Sequence, residues 1–382
     1  MYMPFKSLGL SISLLKPLKD QQFIKPTPIQ ETAIPAILAN RDILGIAQTG
    51  SGKTAAYVLP LLTRLQRNAG EKNRYANVLV LVPTRELAEQ VKTVFQTFSN
   101  PLAETIKTLA VYGGVSINPQ MMAMQGINVL VATPGRLLEL VAANAVHLSN
   151  IETLVLDEAD KMLNLGFKDE VSKILSLLPA KRQNLLFSAT LNKDVEQIHQ
   201  ILLQQPVVFQ IDEEETTFEL INQVAYIVSD SKKGPFLRKL INHHNMKQVL
   251  IFASSVHQAD AIVNKLIKNN FDAKSIHSKK SQGFRKDTLH LFKIGKLRIL
   301  VATDLMARGI DINDLPFVIN YELPRAPKDY VHRIGRTGRA GSTGDAISLV
   351  SQEELHHFEV IQKKMGKKVN LIDSETTVWP TI

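Results

Sequence analysis

The sequence predicts an α/β protein of two domains, each a mainly parallel sheet flanked by helices, and three observations predict it. Its 382 residues exceed one ordinary domain and suit two, at roughly 100–200 residues each. Short, continuously apolar runs alternate with amphipathic stretches, the pattern of strands whose two faces are both covered by helices. A compositional break near the middle divides those runs into two sets of similar size. With 45% hydrophobic and 21% charged residues, the chain carries apolar material for two cores and is not of the disordered class.

In the first half the strand runs are 42–47, 78–82, 129–132, 153–156 and 184–187. In the second they are 224–228, 249–252, 299–302, 317–320 and 346–350. Helical patterns lie between them; Ala259, Ile262, Val263, Leu266 and Ile267 fall on one face at i, i+3, i+4, i+7 and i+8. Strands alternating with helices argue for parallel sheets. The break spans 204–219, where Gln204-Gln205-Pro206 precedes a strand and Glu213-Glu214-Glu215 follows it. The expected division is therefore a first domain over 1–211, a linker over 212–219 and a second domain over 220–382. After 352 the pattern is a short Lys-containing helix and a brief tail.

Composition removes several functional classes. No window approaches the roughly 18 apolar residues of a membrane span, so no membrane partner is expected. Residues 1–19 lack the pattern of a secretory signal. Cysteine is absent, which excludes disulfides, thiolate metal sites and thiol nucleophiles and suits a cytoplasmic setting. The net charge of +9 suggests a polyanionic partner. That charge does not separate the halves: positions 1–210 carry 20 basic and 16 acidic residues, and 211–382 carry 25 and 20.

Ala47-Gln48-Thr49-Gly50-Ser51-Gly52-Lys53-Thr54 follows the first strand and opens an apolar helix. This is a P-loop in its required context, with alanine where the simplest pattern has glycine. Gly50 and Gly52 let backbone N–H groups wrap phosphates beside a helix N-terminus. Lys53 is placed for the β- and γ-phosphates of ATP and the Thr54 hydroxyl for Mg2+. A plain glycine turn is the alternative, and the Lys-Thr pair argues against it. A second phosphate-site signature supports the same reading: the strand at 153–156 runs into Asp157-Glu158-Ala159-Asp160. Asp157 is placed to hold the metal and Glu158 to orient or deprotonate the attacking water. Alone this would equally be an acidic turn before a helix; beside a P-loop it is the second half of a nucleotide triphosphatase site.

Asp157-Glu158-Ala159-Asp160 also spells the signature of the DEAD-box RNA helicases, of helicase superfamily two, and the resemblance spans nearly the whole chain. Pro26-Thr27-Pro28-Ile29-Gln30 resembles the Q motif, Pro83-Thr84-Arg85-Glu86-Leu87-Ala88 motif Ia, Gly113-Gly114 the double-glycine element and Thr133-Pro134-Gly135-Arg136 motif Ib. Ser188-Ala189-Thr190 resembles motif III, Leu250-Ile251-Phe252-Ala253 motif IV, and Gln282 with Arg285 the QxxR element. Ala302-Thr303-Asp304 through Arg308-Gly309-Ile310-Asp311 resembles motif V, and His332-Arg333-Ile334-Gly335-Arg336-Thr337-Gly338-Arg339 motif VI. Segments 113–120 and 179–187 resemble the bacterial RhlE type within the family. Departures are few: Gln22 stands where glycine is usual before Phe23, and Ser278 where glycine usually follows His277.

The resemblance implies two tandem RecA-like domains and local, non-processive unwinding or remodelling of RNA driven by ATP. It implies that Phe23 and Phe5 pack near the base and that Gln30 reads the adenine. The triphosphate would sit on Thr49, Gly50, Ser51, Gly52, Lys53 and Thr54, and the ribose on Asp311. Arg336 and Arg339 would act as arginine fingers, supplied from the second domain to the γ-phosphate held by the first. Ser188, Thr190 and His332 would couple the nucleotide site to RNA. The RNA track would use Arg85, Gly113, Thr133, Gly135 and Arg136, then Arg285, Thr303 and Gly309, largely as sequence-independent backbone contacts. Expected partners are RNA and, through it, ribosomal precursors or RNA-degradation machinery. An RNA clamp or annealing factor is the alternative outcome, and DNA the alternative polymer. The pairs His243-His244 and His356-His357 lack the partner cluster a metal needs. The basic stretch 279–298 reads as half RNA-facing and half solvated, and Lys363, Lys364, Lys367 and Lys368 as a solvated helix end.

Overall fold

A computed structural model describes residues 4–47, 50–66, 75–210, 220–304, 315–338 and 343–375. The chain divides into two compact units, Met1–Glu213 and Glu214–Ile382. The division falls within the segment assigned to the linker, which lies outside the described residues.

In the first unit β1 (Ile43–Ile46), β2 (Val78–Leu81), β3 (Thr108–Val111), β4 (Val129–Ala132), β5 (Thr153–Leu156), β6 (Gln183–Ser188) and β7 (Val207–Gln210) form one sheet. Its order is β3-β4-β2-β5-β6-β1-β7, and every pairing is parallel. The helices are α1 (Leu15–Asp20), α2 (Pro28–Leu38), α3 (Lys53–Leu65), α4 (Arg85–Ser99), α5 (Asn118–Met122), α6 (Pro134–Ala142), α7 (Ala159–Asn164), α8 (Lys168–Leu177) and α9 (Lys193–Leu202). Because side chains alternate along a strand, Val78 and Val80 enter one apolar cluster while Leu79 and Leu81 enter another. Burial on both faces is why these strands read as unbroken apolar runs.

The second unit holds β8 (Ile221–Ile227), β9 (Val249–Ala253), β10 (Ala273–Ile276), β11 (Ile299–Thr303), β12 (Phe317–Asn320), β13 (Gly344–Val350) and β14 (Asn370–Asp373). Its order is β10-β11-β9-β12-β13-β8-β14, again with parallel pairing. Taken in order of appearance, this is the order of the first sheet strand for strand. The fold is thus two parallel seven-stranded sheets flanked by helices, as the RecA-like expectation requires.

Four strands are absent from the apolar-run reading, β3, β7, β10 and β14, with β7 entering it only as the strand beside the break. All four are sheet edges. An edge strand is paired on one side and often solvated on a face, so its residues need not be uniformly apolar. Lys274 and Ser275 interrupt β10, and β14 is largely exposed. The tail expected after 352 therefore contains a strand, β14, paired with β8.

Candidate functional site

Ligands of parallel α/β sheets gather at the carboxyl ends of the strands, and each recognised motif in the described residues of the first unit except the Q motif begins at such an end. The loop after β1 leads into α3, with Gly50 and Gly52 at φ +93° and +91°. At Gly52 the requirement is double, since a Cβ would also stand 2.6 Å from Gln30 Nε2. Lys53 is buried, and its ammonium donates to the Ala47 carbonyl at 2.7 Å. Thr49 lies outside the described residues.

The Q-motif segment grips this loop from the side. Thr27 and Gln30 form a capping box at the start of α2, with the Thr27 N–H donating to Gln30 Oε1 at 3.0 Å. The Thr27 hydroxyl donates to the Ser51 carbonyl at 2.9 Å and Gln30 Nε2 to the Gly52 carbonyl at 3.2 Å. The structure thus places Gln30 against the phosphate loop itself. Phe23 packs edge-on to Phe98, with ring centroids 5.4 Å apart, and lies 6.4 Å from Phe5. Phe5 is a core residue.

The acidic motif leaves β5 beside that loop. Asp157 is 2% exposed, and both of its oxygens are occupied. Oδ2 accepts from the Tyr57 hydroxyl at 2.9 Å and Oδ1 from the Glu158 N–H at 2.9 Å. Burial raises the Asp157 pKa, and Lys53 opposes that rise. Burial, with Asp157 alongside, pushes the Tyr57 phenol well up, so it stays a donor. Glu158 is the residue before α7 and has φ +51°, ψ +48°. A side chain larger than glycine is uncommon there, and strain of this kind gathers at functional positions. Its carboxylate accepts from the Lys161 ammonium at 2.8 Å, with both groups largely buried. Asp160 faces the other way: Oδ2 accepts from the Thr190 hydroxyl at 3.0 Å and Oδ1 from the Ala189 N–H at 3.5 Å. The Ser188 hydroxyl donates to the Thr190 carbonyl at 2.7 Å. The ends of β5 and β6 are thereby tied together.

The remaining motifs of this unit sit on the other half of the same sheet, at the ends of β2, β3 and β4. Thr84 caps α4 by accepting from the Leu87 N–H, which places Arg85 in the first turn. Gly114, at φ +76°, lies so close to Arg85 that any Cβ would collide with the guanidinium. Gly113 and Gly135 have open space where a side chain would be. The double-glycine loop is pinned by Gln120, whose amide accepts from the Tyr112 N–H at 3.0 Å and donates to the Tyr112 and Ser116 carbonyls. Thr133 begins α6 and is buried. Arg136 is 6% exposed and donates to Glu139 at 2.7 Å and to the Val115 carbonyl at 2.8 Å. It braces the loop from beneath.

In the second unit Arg285 is buried beside Gln282, at 2.5 Å, in helix Gln282–Lys293, and Thr303 ends β11. The next residue, Asp304, forms a bidentate pair with Arg333 of helix Pro327–Ile334, at 2.5 and 2.8 Å. Arg333 also reaches Asn320 Oδ1, the Glu322 carbonyl and the face of Phe252. It joins the ends of β9, β11 and β12 to motif VI. His332 is half-buried and Arg336 buried, while Gly309, Asp311 and Arg339 lie outside the described residues.

Sequence reasoning assigned no role to Tyr57, Lys161, Gln120 or Arg333. One signal was available for Tyr57: it follows Thr54 by three residues and Lys53 by four, on the same helix face. Contacts such as Arg333 to Asp304 join distant positions and have no local signal.

A DEAD/DEAH box helicase family model matches residues 27–198, and a helicase conserved C-terminal domain model matches 232–341. The chain is 37% identical over 373 residues to an ATP-dependent RNA helicase CshA of Listeria monocytogenes, covering 97% of this chain and 71% of the relative. It is 38% identical over 369 residues to a DEAD-box ATP-dependent RNA helicase CshA of Geobacillus kaustophilus, covering 96% and 78%. Among solved structures it is similar to S. cerevisiae Dbp5 bound to RNA and ADP BeF3, with a TM-score of 0.86, 30% identity and coverage of 97% and 96%.

Proposed function

The chain belongs to the DEAD-box family of ATP-dependent RNA helicases, and we propose that it divides its two ligands between the two halves of one sheet edge. ATP is held at the ends of β1, β5 and β6. RNA is held at the ends of β2, β3 and β4 and of the corresponding strands of the second unit. The observation that carries this reading is the Asp160–Thr190 bond, which joins the carboxylate motif to the residues assigned to coupling.

Within that frame Gly50, Ser51, Gly52 and Lys53, with Thr49, cradle the phosphates, and Glu158 acts as base toward the attacking water. Gln30 and Phe23 serve the adenine end, Asp311 the ribose, and Arg336 and Arg339 the γ-phosphate. Thr54 and Asp157 offer hard oxygen donors, the kind Mg2+ prefers, and would hold it. Bound there, the ion would neutralise charge developing on the phosphates. Arg85, Gly113, Thr133, Gly135, Arg136, Arg285, Thr303 and Gly309 follow the RNA backbone. Arg136 also holds the Val115 carbonyl of the double-glycine loop.

The work done is local, non-processive unwinding or remodelling of RNA, in the cytoplasm, with ribosomal precursors or RNA-degradation assemblies as targets. The RhlE-type grouping rests on segments 113–120 and 179–187 alone; the relatives described above carry the name CshA. Steady-state ATP hydrolysis with no polymer, with single-stranded RNA and with matched DNA tests the reading. RNA should stimulate turnover and DNA should not; equal stimulation would overturn the assignment of the polymer.

A further inference from the structure

Tyr57 lies in the first turns of α3, a helix in which nearly every residue is buried. A tyrosine at a position that only needs to be apolar brings a hydroxyl that must find a partner, because an unpaired buried hydroxyl is costly. Here the hydroxyl is 2.9 Å from Asp157 Oδ2, one hundred residues away in sequence. Thr54 stands one turn earlier on the same face of α3, three residues before Tyr57. The ring itself packs 5.5 Å from Phe187 of β6, centroid to centroid, which holds the phenol in place. One side chain therefore holds the carboxylate assigned to the magnesium ion and stands one turn from the hydroxyl assigned to it.

We infer that Tyr57 is a positioning residue for the divalent ion, holding the Asp157 carboxylate in the orientation the ion requires. The physical argument is one of preorganisation. A carboxylate free to rotate must be ordered when the ion arrives. Asp157 is fixed beforehand at both oxygens, through Oδ1 by the Glu158 N–H and through Oδ2 by Tyr57. Each oxygen keeps one further lone pair for a ligand. The backbone bond exists with any residue at 158 except proline, whereas the second bond depends on the side chain at 57. Removing that donor frees one oxygen to swing, and the ion must then supply the ordering. Outer partners of metal ligands commonly act in this way.

The inference rests on the assignment of Thr54 and Asp157 to the ion, so its test separates the two. The probe is Mn2+, titrated into the full chain with excess ADP and followed by the loss of the free-ion electron paramagnetic resonance signal. Tyr57→Phe, which keeps the ring and removes the hydroxyl, should weaken Mn2+ binding on the order of 10-fold, the scale of one hydrogen bond to a charged group. ADP affinity measured in EDTA should stay at the parental value. Tyr57→Met, which removes both ring and donor, should show at least the same metal loss and serves if the first variant does not fold. Parental Mn2+ affinity in either folded variant would overturn the inference, even if its melting temperature fell, because a purely structural tyrosine predicts that result. Asp157→Asn is the control for the premise. If it leaves Mn2+ affinity unchanged, the assignment of the ion fails and the role of Tyr57 fails with it.

Discussion

At Glu158 the side chain combines three costs: a left-handed backbone, burial, and a carboxylate paired with Lys161. A residue needed only to start α7 would be served by serine or asparagine without any of these. Retaining glutamate there is understandable if its carboxylate meets the attacking water. Glu158→Gln preserves shape and hydrogen-bonding capacity but cannot accept a proton, so it should retain ATP and RNA binding while losing roughly 10²–10⁴-fold in turnover. Single-turnover hydrolysis beside nucleotide titration reads this; near-parental turnover would remove Glu158 from the role of base. The chemistry of such residues is legible in sequence because it depends on residue type at short spacing, as in Lys53-Thr54 and Asp157-Glu158. Their partners are less legible. Lys161 lies three residues on, within reach of a spacing argument, whereas nothing in the run from Pro134 to Glu139 says that Arg136 turns inward to Val115.

Among the elements, burial decides what could be read. Strands β2, β4 and β5 are buried on both faces and stand out as apolar runs. The edges β3, β10 and β14 carry polar residues where pairing or packing ends, and periodicity passes over them. One edge is nevertheless tightly anchored. Asp260, on helix Val256–Ile267, accepts from Ser275 of β10 at 2.6 Å, with His277 and Lys280 each at 3.0 Å from the same oxygen. Partial burial raises its pKa, but these three partners together hold the carboxyl below the ordinary range. The sign of the linkage follows. The folded state binds a proton less readily than the unfolded chain, whose aspartates titrate near ~3.9. The contact therefore contributes stability above that value and loses it as the pH falls toward the folded pKa. The group is 40% exposed, so solvent screening keeps the effect modest. Asp260→Asn should melt a few degrees below the parent at neutral pH, with the gap closing as melts are repeated through acid pH. A gap of constant size would mean that packing, not charge, ties the helix to β10.

Across the molecule, the two sheets share one strand order but not one chemistry, and the difference lies in a connection. Between β1 and α3 stand six residues, 47–52, including Gly50 and Gly52. Between β8 and its helix at Asp230 stand only Val228 and Ser229. Two residues without glycine cannot wrap a triphosphate, so the connection after β8 is no counterpart of the phosphate loop after β1. At the end of β12, where the first unit has Asp157 and Glu158 after β5, stands Tyr321, followed by Glu322, which accepts from the backbone and hydroxyl of Ser254. The role proposed for the second unit is to supply positive charge from motif VI. Arg333 is engaged by Asp304 and Asn320, and Arg336 is the arginine of the described motif proposed above for the γ-phosphate. If the first unit provides the groups that bind the phosphates and the adenine, losing this arginine should separate affinity from rate. Arg336→Ala is expected to change the Kd for ATP by less than a few-fold while lowering RNA-stimulated turnover on the order of 10³-fold, as for arginine fingers in other nucleotide triphosphatases. Parallel titrations with a fluorescent ATP analogue and steady-state assays at saturating RNA measure both quantities on one preparation. Equal losses in the two would make Arg336 a binding residue and return the catalytic burden to the first unit.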